Sequence, residues 1–85
     1  MKNQWLITFR SVTYAQKGER HLKKAGIPCT LQRTPKELSK RGCGYCLRLQ
    51  GRDAIRAAEY LQQAQLPYEK MYAIQDNGRP EERVL

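Results

Sequence analysis

No apolar run in this chain approaches the ~20 residues that a bilayer-spanning helix requires, so a helical membrane span is excluded. Aromatic residues make up only 8% of the chain, with one Trp and one Phe, which leaves little from which to build a base-stacking surface. There is a single His, and no carboxylate pair, Ser-His-Asp set or phosphate-cradling glycine loop is visible. General acid–base chemistry needs positioned partners, so a stand-alone enzyme is not expected. The three cysteines are an odd number and do not close a disulfide framework. The start, Met1-Lys2-Asn3-Gln4-Trp5, carries no apolar signal region and no cleavage site. The expectation is a cytoplasmic protein with reduced thiols.

Acidic residues are also scarce. Eight Asp and Glu stand against sixteen Lys and Arg, a formal charge of +8. Such a surface attracts anions: nucleic acid, an acidic protein or a small oxyanion. The 85 residues suit one domain with a small core. We place that domain at residues 1–75 and read 76–85, beginning Asp76-Asn77-Gly78, as a flexible polar tail.

Trp5, Ile7 and Phe9 alternate with Leu6, Thr8 and Arg10, which is the period of a strand. Ser11 or Thr13 can cap the helix that follows, and Gly26 stops it. Residues 28–33 form a short second strand with Cys29 and Leu31 on one face. Thr34-Pro35-Lys36-Glu37-Leu38 suits one helical turn, with Thr as cap and Pro at the first position. A third strand begins at Tyr45. A second helix, capped by Asp53, buries Ala54, Ala57, Ala58 and Leu61, and residues 68–74 form the last strand. Each half ends its helix with a similar phrase, Ala25-Gly26-Ile27-Pro28 and Ala64-Gln65-Leu66-Pro67. The order βαββαβ closes best as an α+β, ferredoxin-like fold: a four-stranded antiparallel sheet with both helices on one face.

Between strands two and three the chain reads Ser39-Lys40-Arg41-Gly42-Cys43-Gly44-Tyr45-Cys46. Glycines on both sides leave Cys43 accessible, and two cations precede it. The topology brings this loop to the sheet end that holds Arg10, Ser11, Thr13 and the first helix's N-terminus. Positive partial charge there favours a thiolate and can hold an anion on free N–H groups. The candidate site is Cys43 with Arg10, Ser11, Thr13, Ser39, Lys40, Arg41, Gly42 and Gly44 around it. Cys43 and Cys46 spell Cys-x-x-Cys, but along a strand they stand roughly 10 Å apart, whereas a disulfide needs Cα atoms within about 7 Å. Cys29 and Cys46 read as small core residues. One Cys-x-x-Cys unit without a second does not make a structural zinc site, so no metal and no other cofactor is expected. RNA is disfavoured as well: cysteines occupy third-strand positions where a recognition sheet carries aromatics, and Tyr45 should face the helices. The open sheet face, with Leu6, Cys46 and Tyr72, is apolar enough to pair with a second copy.

Several segments in this order resemble the small bacterial selenium/sulfur carrier-like family: Trp5-Leu6-Ile7-Thr8-Phe9-Arg10-Ser11, Leu22-Lys23-Lys24-Ala25-Gly26-Ile27-Pro28, Thr34-Pro35-Lys36-Glu37-Leu38-Ser39, Cys43-Gly44 and Leu47-Arg48. The resemblance covers about residues 4 to 75. It implies a cytoplasmic accessory protein whose Cys43 transiently holds a persulfide or selenosulfide. The implied partners are sulfur-transfer or selenium-metabolism proteins. Three features depart from the family pattern: Cys46 stands where a small residue such as Ala is usual, Tyr14 where a His is frequent, and Lys40-Arg41-Gly42 makes the stretch between Ser39 and Cys43 one residue longer than usual. The alternative is a non-catalytic binding or regulatory module using the same edge or the open sheet face.

Overall fold

A computed structural model describes residues 3–38 and 44–84. Its strands are β1 (Gln4–Thr8), β2 (Thr30–Arg33), β3 (Tyr45–Gln50), β4 (Lys70–Ile74) and β5 (Pro80–Arg83), and its helices are α1 (Val12–Lys24) and α2 (Ala54–Gln63). Short 3-10 turns occupy Lys36–Leu38 and Gly51–Asp53. All strand pairs are antiparallel, in the order β2-β3-β1-β4-β5.

The pairing fixes two faces. Ile7 lies between Leu47 and Met71, while Trp5 lies between Leu49 and Ala73. Alternation puts these residues on one side of the sheet, where they meet the helices. Ile7, Leu47 and Met71 join Ala15, Leu22, Ala57, Ala58 and Leu61 in one buried cluster. The alanine stripe of α2 joins this cluster, and α2 lies close to α1. On α1, Gly18 lets the helix lie close to β3. A Cβ there would come within 2.9 Å of Phe9 Cζ and 3.4 Å of Leu47 Cδ1, and the Phe9 ring is fully enclosed.

Ser11 begins α1: it is extended, and its Oγ accepts the Tyr14 N–H at 3.2 Å. The two helices end alike. Ile27 N–H donates to the Leu22 carbonyl at 2.9 Å and Gly26 N–H to that of Lys23 at 3.1 Å. Leu66 N–H donates to Leu61 at 2.9 Å and Gln65 N–H to Gln62 at 3.1 Å. Both are six-to-one and five-to-two closures with a left-handed residue at the turn and an apolar contact behind it. The repeated phrase in the sequence is therefore a repeated helix stop. Gly26 takes the left-handed position at φ 80 without strain, whereas Gln65 takes it at φ 58 with a side chain.

Three expectations need correction. The sheet has five strands, not four, because residues 80–83 pair with β4 instead of trailing as a tail. The turn 75–79 makes this hairpin: Gly78 has φ 85, Gln75 N–H donates to the Arg79 carbonyl at 2.9 Å, and Asn77 Oδ1 accepts the Arg79 N–H at 2.9 Å. β5 is held by polar contacts, which is why apolar periodicity misses it. Lys70 pairs with Glu82 at 3.6 Å, and the Arg83 guanidinium lies 5.9 Å from the Trp5 ring centroid. Asp53 stands at the cap position of α2 but makes no capping hydrogen bond; a 3-10 turn precedes the helix, and the carboxylate lies 3.5 Å from Arg56. Thr34 makes no capping bond either: its hydroxyl is buried with no partner among the described residues.

On the sheet face away from the helices, Leu6 is 2% and Cys46 0% exposed within the single chain. The apolar surface expected there is thus reduced to the half-buried Tyr72 and Ile74 of β4. No helix among the described residues is long and apolar enough to cross a membrane.

Candidate functional site

Strand register decides which segments meet. Thr8 pairs with Cys46 at the end of the β1–β3 ladder. Two residues beyond this pair the chain reaches Arg10 on one strand and Gly44 on the other. Both segments leave the sheet at the same end, and α1 starts there at Ser11. Arg10 is exposed, Ser11 and Gly44 are half-buried, and Thr13 is exposed. Ser39, Lys40, Arg41, Gly42 and Cys43 lie outside the described residues; Cys43 is bonded to Gly44, which is described.

The start of α1 is electrostatically open. Its first turn has no acidic residue, while His21, Lys23 and Lys24 complement the opposite end. Ser11 uses its oxygen lone pair on Tyr14 and its carbonyl on the Ala15 N–H at 3.1 Å. That leaves the Ser11 hydroxyl hydrogen and the amides of Val12 and Thr13 as donors. Thr13 itself points from the solvent side of the helix, opposite Ala15, Gly18 and Leu22, so its hydroxyl is not gathered toward Gly44.

Two residues outside the candidate set, Arg33 and Thr34, stand beside Gly44. Arg33 pairs with Tyr45 across the β2–β3 hairpin, and its guanidinium carbon lies 5.5 Å from the Tyr45 ring centroid. One of its terminal nitrogens is 3.7 Å from where a Cβ on Gly44 would stand. A cation on an aromatic face is held in place at a modest gain of roughly 0.5–1 kcal/mol at an exposed site. Thr34 N–H donates to the Gly44 carbonyl at 2.7 Å, while its hydroxyl is shut from solvent and has no partner among the described residues. The sequence shows that a hairpin joins β2 and β3, but only its register sets Arg33 opposite Tyr45. Nothing in the sequence distinguishes the Thr34 hydroxyl from that of an ordinary cap.

The two described cysteines are buried thiols on opposite faces of the sheet. Cys29 Sγ lies 3.9 Å from the Glu19 carbonyl oxygen, to which it donates. Burial raises the Cys29 pKa above its ordinary 9.0; the Glu19 carboxylate adds to the rise and Lys23 opposes it. At neutral pH Cys29 therefore stays a protonated, unreactive thiol. Cys46 is fully buried in the centre of the sheet. Among the described residues no three His, Cys, Asp or Glu side chains gather where they could hold a metal ion. Tyr45 packs against the core cluster on the helix side.

Comparison with known families gives a match over residues 4–73 to the family described as Putative Se/S carrier protein-like. The match spans both helices and the first three strands, ends within β4 and does not reach β5. No curated protein and no solved structure matches the chain significantly.

Proposed function

The chain belongs to this Se/S carrier protein-like family, and from that membership we propose that it carries sulfur or selenium on Cys43 between partner proteins. The observation that carries the reading is the shared sheet end. Thr8–Cys46 pairing brings the root of the Cys43 segment beside the uncompensated start of α1, with Arg33 held over Tyr45 next to Gly44. These groups favour an anion, and both a thiolate and a persulfide are anions.

In the proposed step the Cys43 thiolate attacks the outer sulfur of a persulfide on a donor protein. A bond forms between Cys43 Sγ and that sulfur, and the donor's S–S bond breaks. The donor cysteine leaves as a thiolate, and the proton of the transferred sulfur stays with it or passes to solvent. The transferred sulfur keeps its oxidation level, so no outside oxidant or reductant enters. Delivery is the same exchange with an acceptor thiolate, and a selenium atom follows the same course. Arg10, Arg33, the Ser11 hydroxyl and the amides of Val12 and Thr13 balance the negative charge; Lys40 and Arg41 add to it from the segment beside Cys43. The Thr34 hydroxyl is a further donor at the root of that segment. Cys29, protonated and buried, takes no part. The reading places the protein in the cytoplasm. It assigns the first four strands and two helices to the ferredoxin-like arrangement, supported by the order β2-β3-β1-β4 with β5 added outside β4.

Alkylation tests the proposal. Cys43 should react with iodoacetamide several-fold faster than free cysteine at neutral pH, and Cys43→Ser should abolish uptake of sulfur from a protein persulfide. A rate no faster than free cysteine, with partner binding intact in Cys43→Ser, leaves the non-catalytic binding module as the better account.

A further inference from the structure

The charge of +8 is unevenly placed. Helix α1 carries Lys17, Arg20, Lys23 and Lys24 against one acid, Glu19, whereas α2 has one cation and one acid. Within α1, Lys17, Arg20 and Lys24 follow one another at spacings of three and four, so they form one stripe. The stripe lies opposite the buried Ala15, Gly18 and Leu22, and all three side chains are exposed. Glu19 stands off the stripe and takes Lys23 at 3.1 Å. The other ion pairs among the described residues engage Asp53, Glu81 and Glu82 with Arg56, Arg83 and Lys70. No carboxylate among the described residues pairs with Lys17, Arg20 or Lys24.

Like charges three and four residues apart on a helix repel one another. Lys24 also complements the C-terminal end of α1, but Lys17 and Arg20 have no such compensation, and an anionic surface laid along the stripe relieves their mutual repulsion. We propose that the Lys17–Arg20–Lys24 stripe is the docking surface for an acidic segment of the protein with which Cys43 exchanges its cargo. This rests on the carrier reading. The geometry is suitable, because α1 begins at the end where Gly44 emerges. At ~1.5 Å per residue, Lys17 lies about 9 Å and Lys24 about 20 Å along the axis from Ser11. A protein-sized contact of about 800 Å² on each partner covers the stripe and still reaches that end. A second copy is a poor occupant, since it would set the same cations against each other. RNA would find little to stack on: Leu6 and Cys46 of the central strands are buried, which leaves the exposed Arg48 and the half-buried Tyr72 on the open face.

The test uses the full chain, a fluorescent oligo-glutamate peptide and a fluorescent oligouridine of equal charge, with binding read by anisotropy at low salt. The combined variant Lys17→Gln, Arg20→Gln, Lys24→Gln should lose about tenfold or more in affinity for the peptide. The matched variant Arg48→Gln, Arg52→Gln, Arg79→Gln should stay within about twofold. Equal losses in both variants, or no peptide binding by the parent protein, overturn the proposal. Tighter binding of oligouridine, lost in the α1 variant, overturns it in favour of nucleic acid. Cys43→Ser should keep the peptide affinity, and the α1 variant should keep the iodoacetamide rate. Failure of docking and failure of the thiol chemistry are thereby read apart.

Discussion

Replacing Thr34 with Val should make this protein more stable. Thr-to-Val exchange in a core ordinarily costs stability because a hydroxyl loses its partner. Here, among the described residues, the Thr34 hydroxyl has no partner to lose, and it is closed off from solvent. An unpaired buried hydroxyl costs roughly 1–3 kcal/mol, and a methyl in its place adds about 0.8 kcal/mol of apolar burial. The main chain is unaffected: Thr34 N–H still reaches the Gly44 carbonyl at 2.7 Å. The position precedes Pro35, where the extended backbone suits a β-branched residue. Allowing for imperfect packing of the new methyl, the net gain is about 1–2 kcal/mol. For a domain of this size each kcal/mol moves Tm by about 4–8 °C. Urea and thermal unfolding of both proteins measure it directly. A loss of about 0.5 kcal/mol or more would refute the reasoning, because it would mean that the hydroxyl is satisfied in the free protein. If the hydroxyl is held back for the cargo, the stabilised variant should also take up sulfur more slowly, the familiar exchange of stability against function.

Gln65→Gly should gain about 0.5–1 kcal/mol in chemical unfolding by relieving the left-handed backbone at φ 58, whereas Gly26→Ala at φ 80 should lose about 1 kcal/mol. Because the Cys29 pKa is raised on folding, its stabilising share is fully present below the unfolded value near 9.0 and is lost as pH rises through the folded value. Stability should therefore fall on the alkaline side in the parent protein and fall less steeply in Cys29→Ala; identical alkaline limbs would contradict this assignment. Arg33→Gln should slow alkylation of Cys43 by about twofold, since a unit charge within a Debye length contributes about half a kcal/mol in solvent. An unchanged rate removes Arg33 from the site.

The elements that bury apolar side chains were legible in the sequence. Alternation in β1 and β3 and the alanine stripe of α2 each correspond to a face in the core cluster. β5 was not legible, because Pro80, Glu81, Glu82 and Arg83 carry no apolar period and are held by a turn, an ion pair and a cation over Trp5. The Asp53 cap was misread for a related reason. Composition shows that a cap is available, but the 3-10 turn at Gly51–Asp53 decides whether its side chain is used. At the candidate site, topology was sufficient to bring Arg10 and Ser11 to the end where Gly44 emerges. It did not reveal Arg33, whose place depends on the register of the β2–β3 hairpin rather than on its presence. The Thr34 hydroxyl depends on packing in three dimensions and has no counterpart in any local pattern.

The central claim is that Cys43 carries sulfur or selenium. Mass spectrometry of the intact protein purified from its own cells without reductant, followed by peptide mapping, tests it most directly. The account predicts an added mass of one sulfur or one selenium atom, lost on reduction, and located on Cys43 with Cys29 and Cys46 unmodified. A protein that carries no such addition even after incubation with a protein persulfide, or one that carries it equally on Cys29, would contradict the account.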